Sequence, residues 1–240
     1  MTEVLIAIIV AFAHAVETTT GFGGTVIALA IGAHLVPIDT LILSLLLIGW
    51  LQAAWIVTRD RRHIALDLLF RAVIPCAAVG LAAGFLLRVG IPSDGLKTVL
   101  GAFVIVVAVI ELRRLARTAP SLPLPTWPGR LVLSAGGLFH GMFASGGPAI
   151  VYWASRMIPE RRRFRATLAA LWLVLNTTLL AAAAATSTFE PTSLRLALAA
   201  LPGLAAGIVV GEMLHSRIPQ RAFRGVVNGL LLFVGLTLVM

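Results

Sequence analysis

The sequence predicts an all-α integral membrane protein made of two related halves, each a glycine-broken re-entrant helical hairpin followed by three membrane-crossing helices. Three observations carry this prediction: the scarcity of charge, an internal repeat, and the placement of the arginines. Of 240 residues, 59% are hydrophobic and 12% charged, whereas a soluble domain carries about 25% charged residues. A water-facing surface cannot be built from such a chain, and the mean hydropathy of +1.00 agrees. The 22 glycines and 12 prolines are scattered through apolar runs, which excludes a disordered or collagen-like chain. At roughly 20 residues per crossing, at most about eight to ten membrane segments fit and no sizeable soluble domain remains. The single Cys76 excludes an intrachain disulfide framework. Met1, Thr2 and Glu3 lack a basic leader and run straight into an apolar segment, so the N-terminus reads as mature sequence.

Apolar runs fall at about 4–36, 40–57, 64–87, 95–112, 131–155, 166–186, 194–214 and 222–240, all long enough to be helical. Between Thr118 and Pro128 stand four prolines in eleven residues, which cannot continue a helix. The expected organisation is therefore a first repeat over 1–118, a proline-rich linker over 119–128 and a second repeat over 129–240. Pro75, Gly80, Gly84, Pro92 and Lys97 recur as Pro202, Gly207, Gly211, Pro219 and Arg224 at a constant offset of 127 residues. Upstream, Gly23 and Gly24 match Gly146 and Gly147 at an offset of 123. Chance agreement at so many spacings is poor, and an ancestral duplication accounts for it.

The net charge of +9 comes from arginines lying in short loops, where membrane orientation explains them better than nucleic-acid binding. Sixteen of the nineteen basic residues face the cytoplasm, leaving Arg88, Lys97 and Arg195 outside, if the segment 131–155 enters and leaves on the same side. Its arms of about 13 and 10 residues reach roughly 20 and 15 Å, short of a hydrocarbon core of about 30 Å. One hairpin plus three crossings per half is an odd number of crossings, and so turns the second half upside down, an inverted-topology repeat. The alternative is eight conventional spans, since the first arm (4–20) is long enough to cross.

Irregular backbone at membrane depth is tolerated only where protein or a water-filled cavity satisfies it, so the two glycine-rich breaks are the candidate binding site. The first contains Thr20, Gly21, Gly23, Gly24 and Thr25; the second Ser145, Gly146, Gly147 and Pro148. Pro148 suits the first position of a new helix, capped by Ser145 or Gly146. Helix N-termini attract anions by roughly 0.3 to 2 kcal/mol, and two of them converging with nearby hydroxyls predict a small oxyanion as ligand. Close helix packing at small residues is the competing account of the glycines. Glu17 is the ionisable residue most in need of explanation at membrane depth; it, the matching His140 and the neighbouring His14 are candidates to carry a proton. Gln52 and Asn176, at matching positions beside Trp50 and Trp172, are candidates to line the cavity. Glu212, His215, Glu111 and Arg114 fall near helix ends, where snorkelling accounts for them.

This arrangement resembles the sulfite exporter TauE/SafE family of bacterial membrane permeases: two homologous halves, each opening with a glycine-rich stretch and later carrying Pro-x4-Gly-x3-Gly. The resemblance covers nearly the whole chain. It implies a permease of the bacterial cytoplasmic membrane that moves sulfite, sulfonates or related anions, with Gly21, Gly23 and Gly24 matching the first glycine-rich stretch and Gly146, Gly147 and Pro148 the second. The expected function is secondary transport of a small sulfur-containing oxyanion, open to proton coupling. Its partners are that anion and the lipid bilayer, without nucleic acid, cofactor or metal, and assembly into a homo-oligomer is left open. The rivals are an anion channel and a membrane-embedded enzyme; the enzyme lacks a Gly-x-Ser-x-Gly or His-Glu-x-x-His motif.

Overall fold

A computed structural model of the protein describes all residues but 21, 117–123, 187, 189 and 216–219, and of those described all side chains but 20, 215, 220–224, 226 and 227. Among the described residues every regular element is helical. The first half contains α1 (Thr2–Thr20), α2 (Gly24–Gly32), α3 (Ile38–Asp60), α4 (Leu66–Val89) and α5 (Ser93–Ala116). The second contains α6 (Thr126–Phe143), α7 (Gly147–Met157), α8 (Arg161–Ala185), α9 (Pro191–His215) and α10 (Gln220–Val239). Each apolar run of the sequence is one helix, except 4–36 and 131–155, which break in two at their glycines. Six helices, α1, α3, α4, α5, α8 and α9, are long and apolar enough to cross a bilayer. The protein is a multi-pass membrane protein.

Helix ends follow local chemistry where topology allows it. Asp39 opens α3 and Arg59 closes it, while Asp94 opens α5 and Arg113 and Arg114 close it, in accord with the helix dipole. The start of α8 breaks that rule with Arg161, Arg162 and Arg163. Acidic partners offset the conflict: Arg162 Nε lies 2.8 Å from Asp60 Oδ1, and Arg165 Nη2 lies 2.6 Å from Glu212 Oε1. Within α4 the backbone widens to a π turn over Leu69–Val73, just before Pro75, whose missing N–H such a turn accommodates. Pro128 lies in the first turn of α6, so the last residues of the expected linker are already helical.

Both short helices fold back on the helix before them. Gly24 of α2 sits against Ala13 and Glu17 of α1, while Gly32 faces Ile6, so α2 returns along α1. In the same way Gly136 of α6 faces Ile150 of α7, and Gly129 faces Trp153. At 1.5 Å per residue the 9 residues of α2 and the 11 of α7 span about 14 and 17 Å, well short of the roughly 30 Å core. The leading arms are longer: 19 residues in α1 and 18 in α6, about 28 and 27 Å. The second leading arm exceeds the length expected from hydropathy because helix begins at Thr126, five residues before the apolar run.

The two halves are interlocked through the repeated glycines. Along α4, Gly80 and Gly84 lie so close to the backbone of Ser134 and Leu138 in α6 that a Cβ at either would strike it. Gly137 and Gly141 of α6 return the contact on Ala77 and Leu81. In the second half, Gly203, Gly207 and Gly211 of α9 seat Ala7, Ala11 and Ala15 of α1 in the same manner. The Pro-x4-Gly-x3-Gly motif is thus a groove that receives the leading arm of the other half's hairpin, as small residues do where membrane helices approach closely. The register of these contacts runs parallel in both pairs. Across the middle, α3 and α8 run antiparallel, with Trp50 Nε1 donating to Thr177 Oγ1 at 2.9 Å and Asp60 meeting Arg162 fifteen residues earlier in α8.

Glu111 is not a snorkelling residue. Its side chain is 4% exposed and its Oε1 sits 3.4 Å from Arg114 Nη1, whose Nη2 in turn donates to Ser155 Oγ at 2.8 Å. The pair ties α5 to α7.

Candidate functional site

The two breaks in the hairpins border a single cavity of about 30 Å³, lined by Glu17, Phe22, Gly23, Thr25 and Val26 of the first hairpin and His140 and Ala144 to Gly147 of the second. Gly49 of α3 and Trp172 and Asn176 of α8 close its sides. One water needs roughly 10–15 Å³ of such space, so there is room beside the tips for a small ligand.

Among the described residues, each break has one in the left-handed region. In the first it is Gly23, φ 99°, the N-cap of α2; in the second it is Ala144, φ 52°, the C-cap of α6. A left-handed conformation is costly for residues with a Cβ, and alanine at position 144 pays that cost beside the cavity. The start of the second helix of each pair lines the cavity, through Thr25 in α2 and Gly147 in α7. Pro148 occupies the opening turn of α7 as expected, and the cap is Gly146, acting without a side-chain bond.

What the first turn of each helix binds differs from the expectation of two equivalent electropositive tips. The carboxylate of Glu17 accepts hydrogen bonds from the backbone N–H groups of Gly24 and Thr25. A Cβ at Gly24 would strike the Glu17 carboxylate and crowd the Ala13 carbonyl. The first tip is thereby answered by a side chain belonging to the protein, 13% exposed. At the second tip the matching residue is His140, whose Nδ1 accepts the Gly146 N–H at 3.3 Å. Its Nε2 must then carry the proton, donated to Asn176 Oδ1 at 2.9 Å. Trp172 stacks on the imidazole at 5.4 Å, 11° from parallel, and holds the ring in place.

Ser145 is the one lining hydroxyl buried with nothing to bond. It is 3% exposed, and its Oγ has no hydrogen-bond partner. A buried polar atom in that condition costs roughly 1–3 kcal/mol unless a ligand or water completes it. A Cβ at Gly147 would meet nothing within 4 Å, so the floor beside Ser145 is open.

The sequence candidates divide accordingly. Glu17, Gly23, Thr25, His140, Ser145, Gly146, Gly147 and Asn176 line the cavity. Gly24 and Pro148 lie just behind the lining, in the helix starts. His14 and Gln52 stand off the cavity and form a chain of their own: Gln52 Nε2 donates to Thr18 Oγ1 at 3.1 Å, and its Oε1 accepts from His14 Nδ1. That assigns the His14 proton to Nδ1 and leaves Nε2, which is buried, without a partner. His14 Nδ1 also lies 3.8 Å from Glu17 Oε2. Gly21 and the side chain of Thr20 lie outside the described residues. Phe22, Val26, Gly49 and Ala144 were not singled out from the sequence. Gly49 carried one usable signal, an isolated glycine inside an apolar helix, and it admits Asn176 Nδ2, which would be 3.3 Å from a Cβ there.

A bundle of long apolar helices around a small cavity bordered by two broken hairpins is the architecture of a polytopic membrane protein. The family model described as sulfite exporter TauE/SafE matches residues 6–238, and the chain belongs to that family of membrane permeases. Neither a curated protein nor a solved structure matches it.

Proposed function

We propose that the protein is a secondary transporter of the bacterial cytoplasmic membrane that carries a small sulfur-containing oxyanion, such as sulfite or an organosulfonate, bound between the two hairpin tips. The observation that carries this reading is the Ser145 hydroxyl, buried and unbonded on the wall of a cavity that also presents the start of α7. Gly147, the Asn176 amide and the Thr25 hydroxyl supply further donors around a volume suited to an oxyanion.

The halves are read as inverted repeats carrying re-entrant hairpins. The support is directional: α3 opposes α8, while α1 runs with α9 and α6 with α4. Arg88 near the end of α4 meets Asp39 at the start of α3, and Arg165 near the start of α8 meets Glu212 near the end of α9, so both pairs are antiparallel and α1 and α6 point in opposite directions across the bilayer. Rocking of one half against the other about the shared cavity then gives alternating access. An inside-negative potential favours anion export by about 2.3 kcal/mol per charge per 100 mV. Glu17, His140 and His14 are the candidates to couple a proton.

The test is thermal-shift and binding measurement on purified protein against sulfite, thiosulfate, sulfate, methanesulfonate, acetate and an organic cation such as choline. A bound ligand at a hundred times its Kd stabilises the fold by about 2.7 kcal/mol. Stabilisation by the sulfur oxyanions, lost in Gly147→Leu at unchanged membrane insertion, is expected. A preference for the cation, or full transport by Gly147→Leu, overturns the reading. A channel would instead show flux far above carrier rates and no countertransport.

A further inference from the structure

We infer that Glu17 is a tethered occupant of the first helix N-terminus, and that the transported anion enters the cavity only together with one proton bound by that carboxylate. The inference rests on the reading of the cavity as the transport site and adds the stoichiometry and the residue that sets it.

The argument is geometric. Glu17 and Ser145 face the same cavity of about 30 Å³, one from each hairpin. The Glu17 carboxylate already receives the Gly24 and Thr25 amides, the donors that would otherwise serve a ligand at that tip. An incoming oxyanion at Ser145 and Gly147 therefore meets a second negative charge across a gap a few atoms wide, inside low-dielectric surroundings where like charges repel strongly. A proton on the carboxyl group removes the repulsion and turns one of its oxygens from acceptor into donor.

The groups around Glu17 leave the proton no better destination. From its own helix, His14 approaches to 3.8 Å, but its Nδ1 proton is held by Gln52 and its remaining nitrogen is fully buried. Across the cavity, His140 has both nitrogens engaged, by Gly146 and Asn176. The packed helix α2 carries no titratable residue from Gly24 to Gly32. On α9, next to the Gly211 that seats α1, Glu212 is turned to Arg165. Facing residues on α3 and α8 are Gly49, Trp172 and Asn176, none of which titrates.

Proton and anion then move in the same direction, and a monovalent anion crosses with no net charge. The coupling has a definite sign. Because the bound anion favours protonated Glu17, affinity is highest in acid and is lost as the pH rises, by about tenfold per pH unit once the free protein holds Glu17 ionised.

The experiment uses methanesulfonate and thiosulfate, which stay fully ionised throughout, so that any proton taken up belongs to the protein. Binding is followed calorimetrically across the pH range in buffers of different ionisation enthalpy, which reads protons directly and needs no variant. One proton gained per anion, a tenfold fall in affinity per pH unit in wild type, and a flat profile without proton uptake in Glu17→Gln are expected. In Glu17→Ala, binding should likewise be independent of pH, and added formate, which is ionised in this range, should weaken it again by refilling the Gly24 and Thr25 amides with a negative charge. Proton uptake that persists in Glu17→Gln, or follows His14→Gln, overturns the inference. So does tight wild-type binding with no pH dependence. If wild type binds none of the sulfur oxyanions at any pH, the transport-site reading itself falls and this inference with it.

Discussion

The first and second hairpins share one plan and end in different chemistry. In each, a long leading arm lies in a glycine groove of the opposite half, the chain breaks at a left-handed residue, and a short helix turns back. In each, the residue at the matching position before the break bends toward its own tip. In the first hairpin that residue is Glu17, a carboxylate that satisfies two amides; in the second it is His140, a neutral imidazole that satisfies one. Two hairpins built alike thus end in chemically unequal tips. The open donors, Ser145 and the unfilled space at Gly147, gather on the imidazole side. The lesson is that the shared hairpin plan brings both tips to one cavity, and one side chain per tip sets which of them keeps an unbonded donor.

The comparison breaks most completely if its shared scaffold is removed. Gly84→Leu forces a side chain into the backbone of Leu138. Overpacking of this kind costs typically 1–3 kcal/mol and occasionally more, and here the obstacle is main chain that cannot rotate away. Loss of monodisperse protein, or a fall in Tm far beyond that of any tip variant, is expected in a detergent-stability assay; a normal melting curve would remove the groove-and-arm account.

The inequality of the tips is sharpened by the next two changes. Ser145→Ala deletes a hydroxyl with no partner in the protein, so Tm should hold or rise while anion affinity drops. A hydrogen bond to a charged ligand is worth about 1.5–3 kcal/mol, roughly 10- to 150-fold in Kd, and Thr25→Val on the carboxylate side should cost less. Equal losses at the two positions, measured by calorimetry, would say that the tips are equivalent after all. Gly23→Ala tests the turn rather than the ligand. Nothing stands within 4 Å of a Cβ there, yet φ of 99° disfavours one, so a stability loss of about 1–2 kcal/mol with little change in affinity is expected, and Gly23→Asn should recover part of it.

The smallest effect belongs to the clasp between the halves. Asp60→Asn weakens the link to Arg162, whose side chain is 60% exposed, and exposed pairs contribute about 0.2–1 kcal/mol. A drop in Tm within that range, diminished further in high salt, is the expected result.

Much of this was legible in the residues themselves. Low charge and long apolar runs dictate a membrane protein because nothing else covers such a chain, and the spacing of Pro75, Gly80 and Gly84 visibly recurs in Pro202, Gly207 and Gly211. The two glycine breaks were equally visible, since only a sheltered or wet site tolerates interrupted backbone in lipid. Other features were hidden. The repeated glycines gave their spacing but not their partner, because a groove is known only when the helix that fills it is placed. Gln52 and Asn176 looked alike in sequence, yet one bonds His14 behind the wall and the other faces the cavity.

The chain alone therefore determined the medium, the helices and the places where they break, all of which follow from local hydropathy and backbone chemistry. Tertiary structure alone decided that Glu17 fills its own tip while Ser145 stands open, because hydrogen-bond occupancy depends on which donors and acceptors three-dimensional packing brings within about 3 Å of one another.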